Sequence, residues 1–354
     1  LIAAAGNPPE YNKSVREFDI VTLDRVRRMD IEADLDVWME YAWKKEIHGS
    51  ILAYLGMKKD HFYSVENTVD GKFFVTARGW EDLSEILKAY EELGVEITEN
   101  LIGEYLCRDE IARSFFASYQ LYRKYGEDYG LKRLLSGEMA EEEQQKKVKM
   151  AEGASFEERF LVTGLLLSGL NGSFLDYEKL DKETGAVYQE LLHLKAFLHD
   201  KKDMTALDEF TDVKKKSLAV RLEAELLNLE QQTTEEFVIR TLEEFSLTIR
   251  KEHITDTETG FERIRQLFTE MVEKRKDCAK KISRELERAF AFMKACFGDG
   301  QETVLFVTGL TRNSHAAAFI REYGCDPYFA CSEKLLYRKQ EKKLQEECES
   351  LLKI

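Results

Sequence analysis

Three places in this sequence combine a residue type and a setting suited to an anionic ligand. Asn7 follows the apolar run Leu1 to Ala5 and Gly6, and precedes Pro8 and Pro9. A short continuous apolar run suits a buried strand of a parallel sheet, and consecutive prolines end the ladder and send the chain into a loop. A neutral amide at the carboxyl edge of such a strand sits where open α/β sheets bind ligands. Arg25 lies in the stretch from Phe18 to Arg27, with Arg28 next to it. A guanidinium there either meets an anionic ligand or pairs with Asp19, Asp24 or Asp30, and the spacing alone leaves both open. Arg78 stands in Thr76-Ala77-Arg78-Gly79-Trp80-Glu81-Asp82-Leu83, at the start of an expected helix, where backbone amides add to the attraction for anions. Its bland alternative is a surface pair with Glu81 or Asp82.

Other chemistries lack their residues. The sequence has no GxxxxGK[ST] segment, no apolar strand ending in Asp-Glu and no GxSxG elbow. The six cysteines, at 107, 278, 296, 325, 331 and 348, form no CxxC pair and read as buried thiols of a reducing compartment. Cys325, Cys331 and His315 are close enough in sequence to make a metal site conceivable, but the spacing favours none. His48, His61, His193 and His199 read as surface or capping residues rather than bases.

The elements that must position these residues are mostly helical. Only three prolines occur in 354 residues, and helix interiors exclude proline. Leu35, Trp38, Met39 and Ala42 mark one face of a helix beginning near Asp34, and a shorter helix is expected over Gly49 to Leu55. The Asp-Gly pair at 70 and 71, flanked by β-prone residues, predicts a small hairpin or an extended loop. Helices follow over Gly79 to Leu93, Thr98 to Leu106 and Arg108 to Lys124, the last rich in aromatic core residues from Phe115 to Tyr125. The charged run from Glu138 to Gly153 predicts a solvated helix or hinge. Ser155 and Glu158 then form a capping box in front of an apolar helix.

Leu218, Leu222, Leu226 and Leu229, then Val238, Leu242, Phe245 and Ile249, recur at helical spacing. After a break at 255–260, Ile264, Phe268, Met271, Cys278, Ile282 and Leu286 do the same. Two long antiparallel helices are expected over about 204–297, each about 60 Å long if unbroken. The tail reads as a β-prone run at Val304 to Val307, a helix over Thr311 to Tyr323 and a charged helix from about Ser332.

The net charge of -15 opposes a phosphate backbone, so nucleic-acid binding is disfavoured. The longest apolar stretch, Phe160 to Leu170, is far shorter than the roughly 20 residues that span a bilayer. No membrane role is expected, and no signal sequence opens the chain. Because an opening strand needs sheet neighbours, the chain is expected to be truncated at its start.

The segment Ala5-Gly6-Asn7-Pro8-Pro9-Glu10-Tyr11-Asn12, the Leu23-Asp24-Arg25 element after it, and Ala77-Arg78-Gly79 at a helix start resemble, in that order, AAA+ ATPases of the MoxR and dynein-related branch. The resemblance covers about the first 130 residues. It implies a mainly α architecture divided into a remnant of an α/β AAA+ core at 1–33, a helical lid at 34–130 and a C-terminal helical domain at 131–354 with the long hairpin. It also implies that Asn7 orients the attacking water, that Arg25 is the arginine finger reaching a neighbouring subunit, with Arg27 and Arg28 competing for the role, and that Arg78 contacts the nucleotide of its own subunit. The implied parent is a cytoplasmic homo-oligomeric ring that uses ATP and Mg²⁺ to remodel a protein client, with von Willebrand A domain proteins as the client class. Lacking the phosphate-cradling loop and metal ligands, this polypeptide alone is expected to hydrolyse nothing and bind no cofactor. The rival reading is a non-enzymatic helical scaffold.

Overall fold

The computed structural model describes residue 6 and residues 20–27, 29–68, 71–199, 201 and 203–334. Leu1 to Ala5, expected as a strand, and Asn7 lie outside the described residues. The chain divides into two compact units, Leu1–Leu35 and Asp36–Ile354. In the first, α1 (Ile20–Arg25) ends on Arg25, and residues 29–34 are neither helix nor strand.

The second unit is mainly α-helical. It opens with α2 (Leu35–Lys44), which buries Trp38, Ala42 and Trp43, and α3 (Gly49–Met57), apolar nearly all round and buried from Gly49 to Leu55. A helix with no polar face must be enclosed by others, and α3 packs against both α6 and α9. The expected hairpin forms from β1 (Ser64–Thr68) and β2 (Gly71–Val75), antiparallel and in register from Thr68 opposite Gly71 to Ser64 opposite Val75. The helices α4 (Ala77–Leu93), α5 (Glu99–Tyr105), α6 (Asp109–Tyr129) and α7 (Leu131–Ser136) follow. Beyond α7, Gly137 has φ +79°, and an added Cβ would lie 2.3 Å from the Arg288 guanidinium carbon. That guanidinium donates to the Leu135 carbonyl at 2.8 Å, satisfying the end of α7.

The charged run forms α8 (Glu141–Glu152) and buries only Ala151. Ser155 then caps α9 (Phe156–Leu198), accepting from the Glu158 amide at 3.3 Å, and α9 runs for 43 residues, about 65 Å. One face of its amino-terminal half meets α3, α6 and α7, and it also carries α10 (Ala206–Glu223), α11 (Leu229–Lys251), α12 (Thr257–Phe297), α13 (Gln301–Arg312) and α14 (Ser314–Tyr323).

The long antiparallel pair is therefore arranged differently from the sequence expectation. Its members are α9 and α12: Ser173 donates to Glu285 at 2.6 Å, Asp181 pairs with Arg275 at 2.5 Å, and Tyr188 stacks on Phe268 at 6.0 Å between centroids, a strictly descending register. The stripe from 204 to 252 is not one helix. It breaks after Ala224, where Glu225 takes φ +51°, and restarts at a capping box between Asn228 and Gln231. Leu226 and Leu229, counted into the stripe, are 68% and 75% exposed for that reason. The halves fold together as α10 and α11 onto the carboxyl half of α9, around Leu191, Leu194, Leu207, Leu242, Phe245 and Ile264.

The β-prone run at Val304 to Val307 is also helical. In α13, Thr303, Phe306, Val307 and Leu310 are buried, and Phe306 meets Phe290 edge-on at 5.1 Å, so packing on a helical face outweighs the local β preference. The next helix starts at Ser314, not Thr311, because Asn313 caps it. A further helix covers 326–334, and the charged helix expected from Ser332 lies mostly outside the described residues. No described helix is long and apolar enough to cross a membrane.

Candidate functional site

The site is assembled around α4. Its amphipathic spacing turns Trp80, Leu83, Ser84 and Leu87 inward, which leaves Arg78, Asp82, Glu85 and Lys88 on the outer face. Trp80 is fully buried, its indole donates to the Phe62 carbonyl at 3.1 Å, and its ring sits 5.3 Å from Phe115 and 5.9 Å from Tyr54. This aromatic cluster fixes the rotation of α4 about its own axis and so the direction in which Arg78 leaves the helix.

At the amino end, Thr76 is extended and its hydroxyl accepts from the Gly79 amide at 3.2 Å, an N-cap that ends β2 and begins α4 one residue later. Gly79 is required by contact: a Cβ there would lie 2.8 Å from the Tyr105 carbonyl oxygen, so the first turn of α4 presses on the end of α5. The preceding hairpin is tied to the start of α6 by Arg108, which donates to Ser64 at 2.5 Å and Glu66 at 2.8 Å, and by the Phe74 amide donating to the Cys107 carbonyl at 3.3 Å. Arg78 is exposed on the second residue of α4 and makes no ion pair among the described residues. Glu81, one turn on, accepts instead from the Tyr41 hydroxyl of α2 at 2.6 Å. That hydrogen bond, burial and the Glu81 charge push the Tyr41 phenol up to about 12, so it remains a donor at neutral pH.

The carboxyl end of α4 is built oppositely. Glu91 receives the Tyr119 hydroxyl at 2.8 Å and lies 3.2 Å from Nε2 of His48. Nδ1 of His48 accepts from the Ser50 amide at 3.3 Å and lies 2.6 Å from the Ser50 hydroxyl, so His48 is the N-cap of α3, while its own amide donates to Ser84 at 2.8 Å. An acceptor role at Nδ1 places the ring proton on Nε2, facing Glu91. Burial raises the Glu91 carboxyl, but the hydrogen bonds from His48 and Tyr119, with the nearby Arg123 charge, outweigh it and hold it below its ordinary value. Burial first, then the bond to Glu91, raises the Tyr119 phenol. Ser50, His48 and Glu91 have the composition of a nucleophilic triad. Ser50, however, is 1% exposed inside the first turn of α3, closed to any substrate, so the group is a joint between helices.

Asn7 lies outside the described residues, and so does Arg28. Arg25 is exposed at the last position of α1 and Arg27 is exposed just after it, both in the first unit, whereas Arg78 belongs to the second.

Sequence reasoning reached His48 as a capping residue but missed its tie to Glu91, 43 residues away, and the pair of Tyr41 with Glu81. It also missed the polar contacts along α9: Asn171 with Asn313 at 2.6 Å, and Glu178 with His315 across 137 residues. Only the Gly-Ser start of α3 after His48 was a local signal for any of these. Among the described residues no three His, Cys, Asp or Glu side chains are placed to hold a metal. Comparison with protein-family models, with curated proteins and with solved structures finds no match to this chain.

Proposed function

We propose that this chain is the C-terminal part of a ring-forming AAA+ ATPase of the MoxR and dynein-related type, one that couples ATP hydrolysis to remodelling of a protein client in the cytoplasm. The observation that carries the reading is Arg78: a guanidinium held outward on the second residue of an N-capped helix, its rotation fixed by Trp80 and its ion-pairing neighbour Glu81 occupied by Tyr41. An exposed cation in the first turn of a helix, close to its amino-terminal amides, suits contact with nucleotide phosphates. The exposed Arg25 at the end of α1 suits a finger acting on a neighbouring subunit's nucleotide. In this reading Mg-ATP supplies the phosphoryl group, and its phosphate cradle and metal ligands come from polypeptide outside this chain. Asn7 orients the attacking water, and a von Willebrand A domain protein is the client class.

Arg25→Ala in the full-length protein should leave nucleotide affinity near wild type and lower turnover by about 10³-fold or more, whereas Arg78→Ala should also weaken nucleotide binding. Equal turnover of wild type and Arg25→Ala overturns the finger assignment. A GxxxxGK[ST] segment in the reading frame upstream of Leu1 supports the reading; a start codon at Leu1 supports the rival, a helical scaffold. The apolar residues Val220, Leu226 and Leu229, exposed around the turn between α10 and α11, favour that rival to the extent that they dock another protein.

A further inference from the structure

The pairing of Glu81 with Tyr41 has a consequence for Arg78. Residues three apart on a helix are neighbours, so Glu81 is within reach of Arg78, and an Arg-Glu pair on an exposed face forms readily. In the structure Glu81 turns the other way, to the Tyr41 hydroxyl at 2.6 Å, the closest-held polar contact between α2 and α4. Asp82, four residues from Arg78, is exposed and makes no ion pair with it. An arginine preceding its acid is also the weaker order for a pair four apart, because the cation then sits at the positive end of the helix dipole.

We infer that Tyr41 is a positioning residue for the phosphate contact proposed for Arg78: by holding the Glu81 carboxylate, it keeps the guanidinium available to an anionic phosphate rather than to its own helix. The inference rests on the proposed nucleotide role of Arg78. Tyr41 acts through a neutral donor, so it diverts Glu81 without adding a second cation that would compete for phosphate. Its hydroxyl keeps its proton throughout the physiological range, and the device therefore works without a pH switch. Tyr41 is 39% exposed, and removing one hydroxyl there leaves the packing of α2 through Trp38 and Trp43 intact.

The test is a double-mutant cycle in the full-length protein, titrated with inorganic tripolyphosphate at low ionic strength and followed by calorimetry and by the Arg78 Nε-H resonance. Tyr41→Phe releases Glu81 and weakens binding about two-fold, the value of one exposed helix ion pair. Tyr41→Phe with Glu81→Gln restores wild-type affinity or better, a rescue that loss of packing would not give. Arg78→Ala weakens binding more than Tyr41→Phe does and lowers its salt dependence. If Tyr41→Phe binds tripolyphosphate as wild type does while Arg78→Ala does not, the positioning role is overturned and the phosphate contact stands. Wild-type binding by Arg78→Ala overturns the phosphate contact itself, and the inference falls with it.

Discussion

The two ends of α4 carry charged residues of opposite sign and opposite fate. At the carboxyl end Glu91 is held by the Tyr119 hydroxyl of α6 and the His48 ring at the start of α3, so each of its oxygens has a partner. At the amino end Arg78 projects from a turn capped by Thr76, and its side chain makes no ion pair among the described residues. A charge that secures structure is paired at each oxygen; a charge kept for a ligand is supported from behind and left open in front. The aromatic cluster about Trp80 is what makes both arrangements possible, since it locks the helix that carries them.

The largest effect therefore comes from breaking that lock. Trp80→Ala should cost about 3–5 kcal/mol in urea unfolding, by the cavity and the lost packing, and should loosen both ends together. If hydrogen exchange shows only one end protected less, α4 is not the shared support.

Glu91→Ala should cost about 1–2 kcal/mol, because it strands the Nε2 proton of His48 and the Tyr119 hydroxyl, with a discount for solvent at a carboxylate one-third exposed. The same variant should leave the backbone amides of Thr76 to Trp80 unshifted in a heteronuclear spectrum.

Acid separates the ends by window. Burial first, then the cations of Lys58 and Arg108, lower the His61 ring below its ordinary 6.5, and His61 supports the amino-end cluster through its 2.6 Å contact with the Tyr54 hydroxyl. A folded value depressed below the unfolded one favours the neutral ring. Its contribution is fully present above about pH 6.5 and is lost as pH falls through the folded value. Glu91, also depressed, contributes above its ordinary 4.5 and loses that contribution at lower pH. Thermal midpoints measured against pH should thus fall in two stages, the first absent in His61→Asn. A single fall below pH 4.5 would mean that His61 does not support the cluster.

Arg78→Ala should change stability least, within about 0.5 kcal/mol, since the side chain is exposed and makes no ion pair among the described residues. A larger loss would move Arg78 to the structural side of the comparison.

Legibility in the sequence followed the range of the interactions. The cap at Ser155, the chain reversal at the Asp-Gly pair and the presence of a helix from about Gly79 were readable because each depends on residues within a turn or two. The leucine stripe from 204 to 252 misled because helical spacing continued through a chain reversal: nothing in Leu222, Leu226 and Leu229 distinguishes a continuous seam from two helices meeting at a turn. The β-prone residues of α13 misled for a related reason, since valine and phenylalanine suit any buried face and the neighbours of Phe306 choose which. At the candidate site, Arg78 and its helix start were legible, and the partner that holds Glu81 away from it was not, being 40 residues distant.

The amino-acid sequence by itself determined that this chain is mainly helical and where several of its helices begin, because proline scarcity, caps and periodicity act along the backbone. Tertiary structure alone decided that α9 rather than the 204–252 stripe pairs with α12, that Glu91 is tied to His48 and Tyr119 and that Glu81 turns to Tyr41. Those outcomes depend on which surfaces meet, and hydrophobic burial, being non-directional, marks a face for covering without naming what covers it.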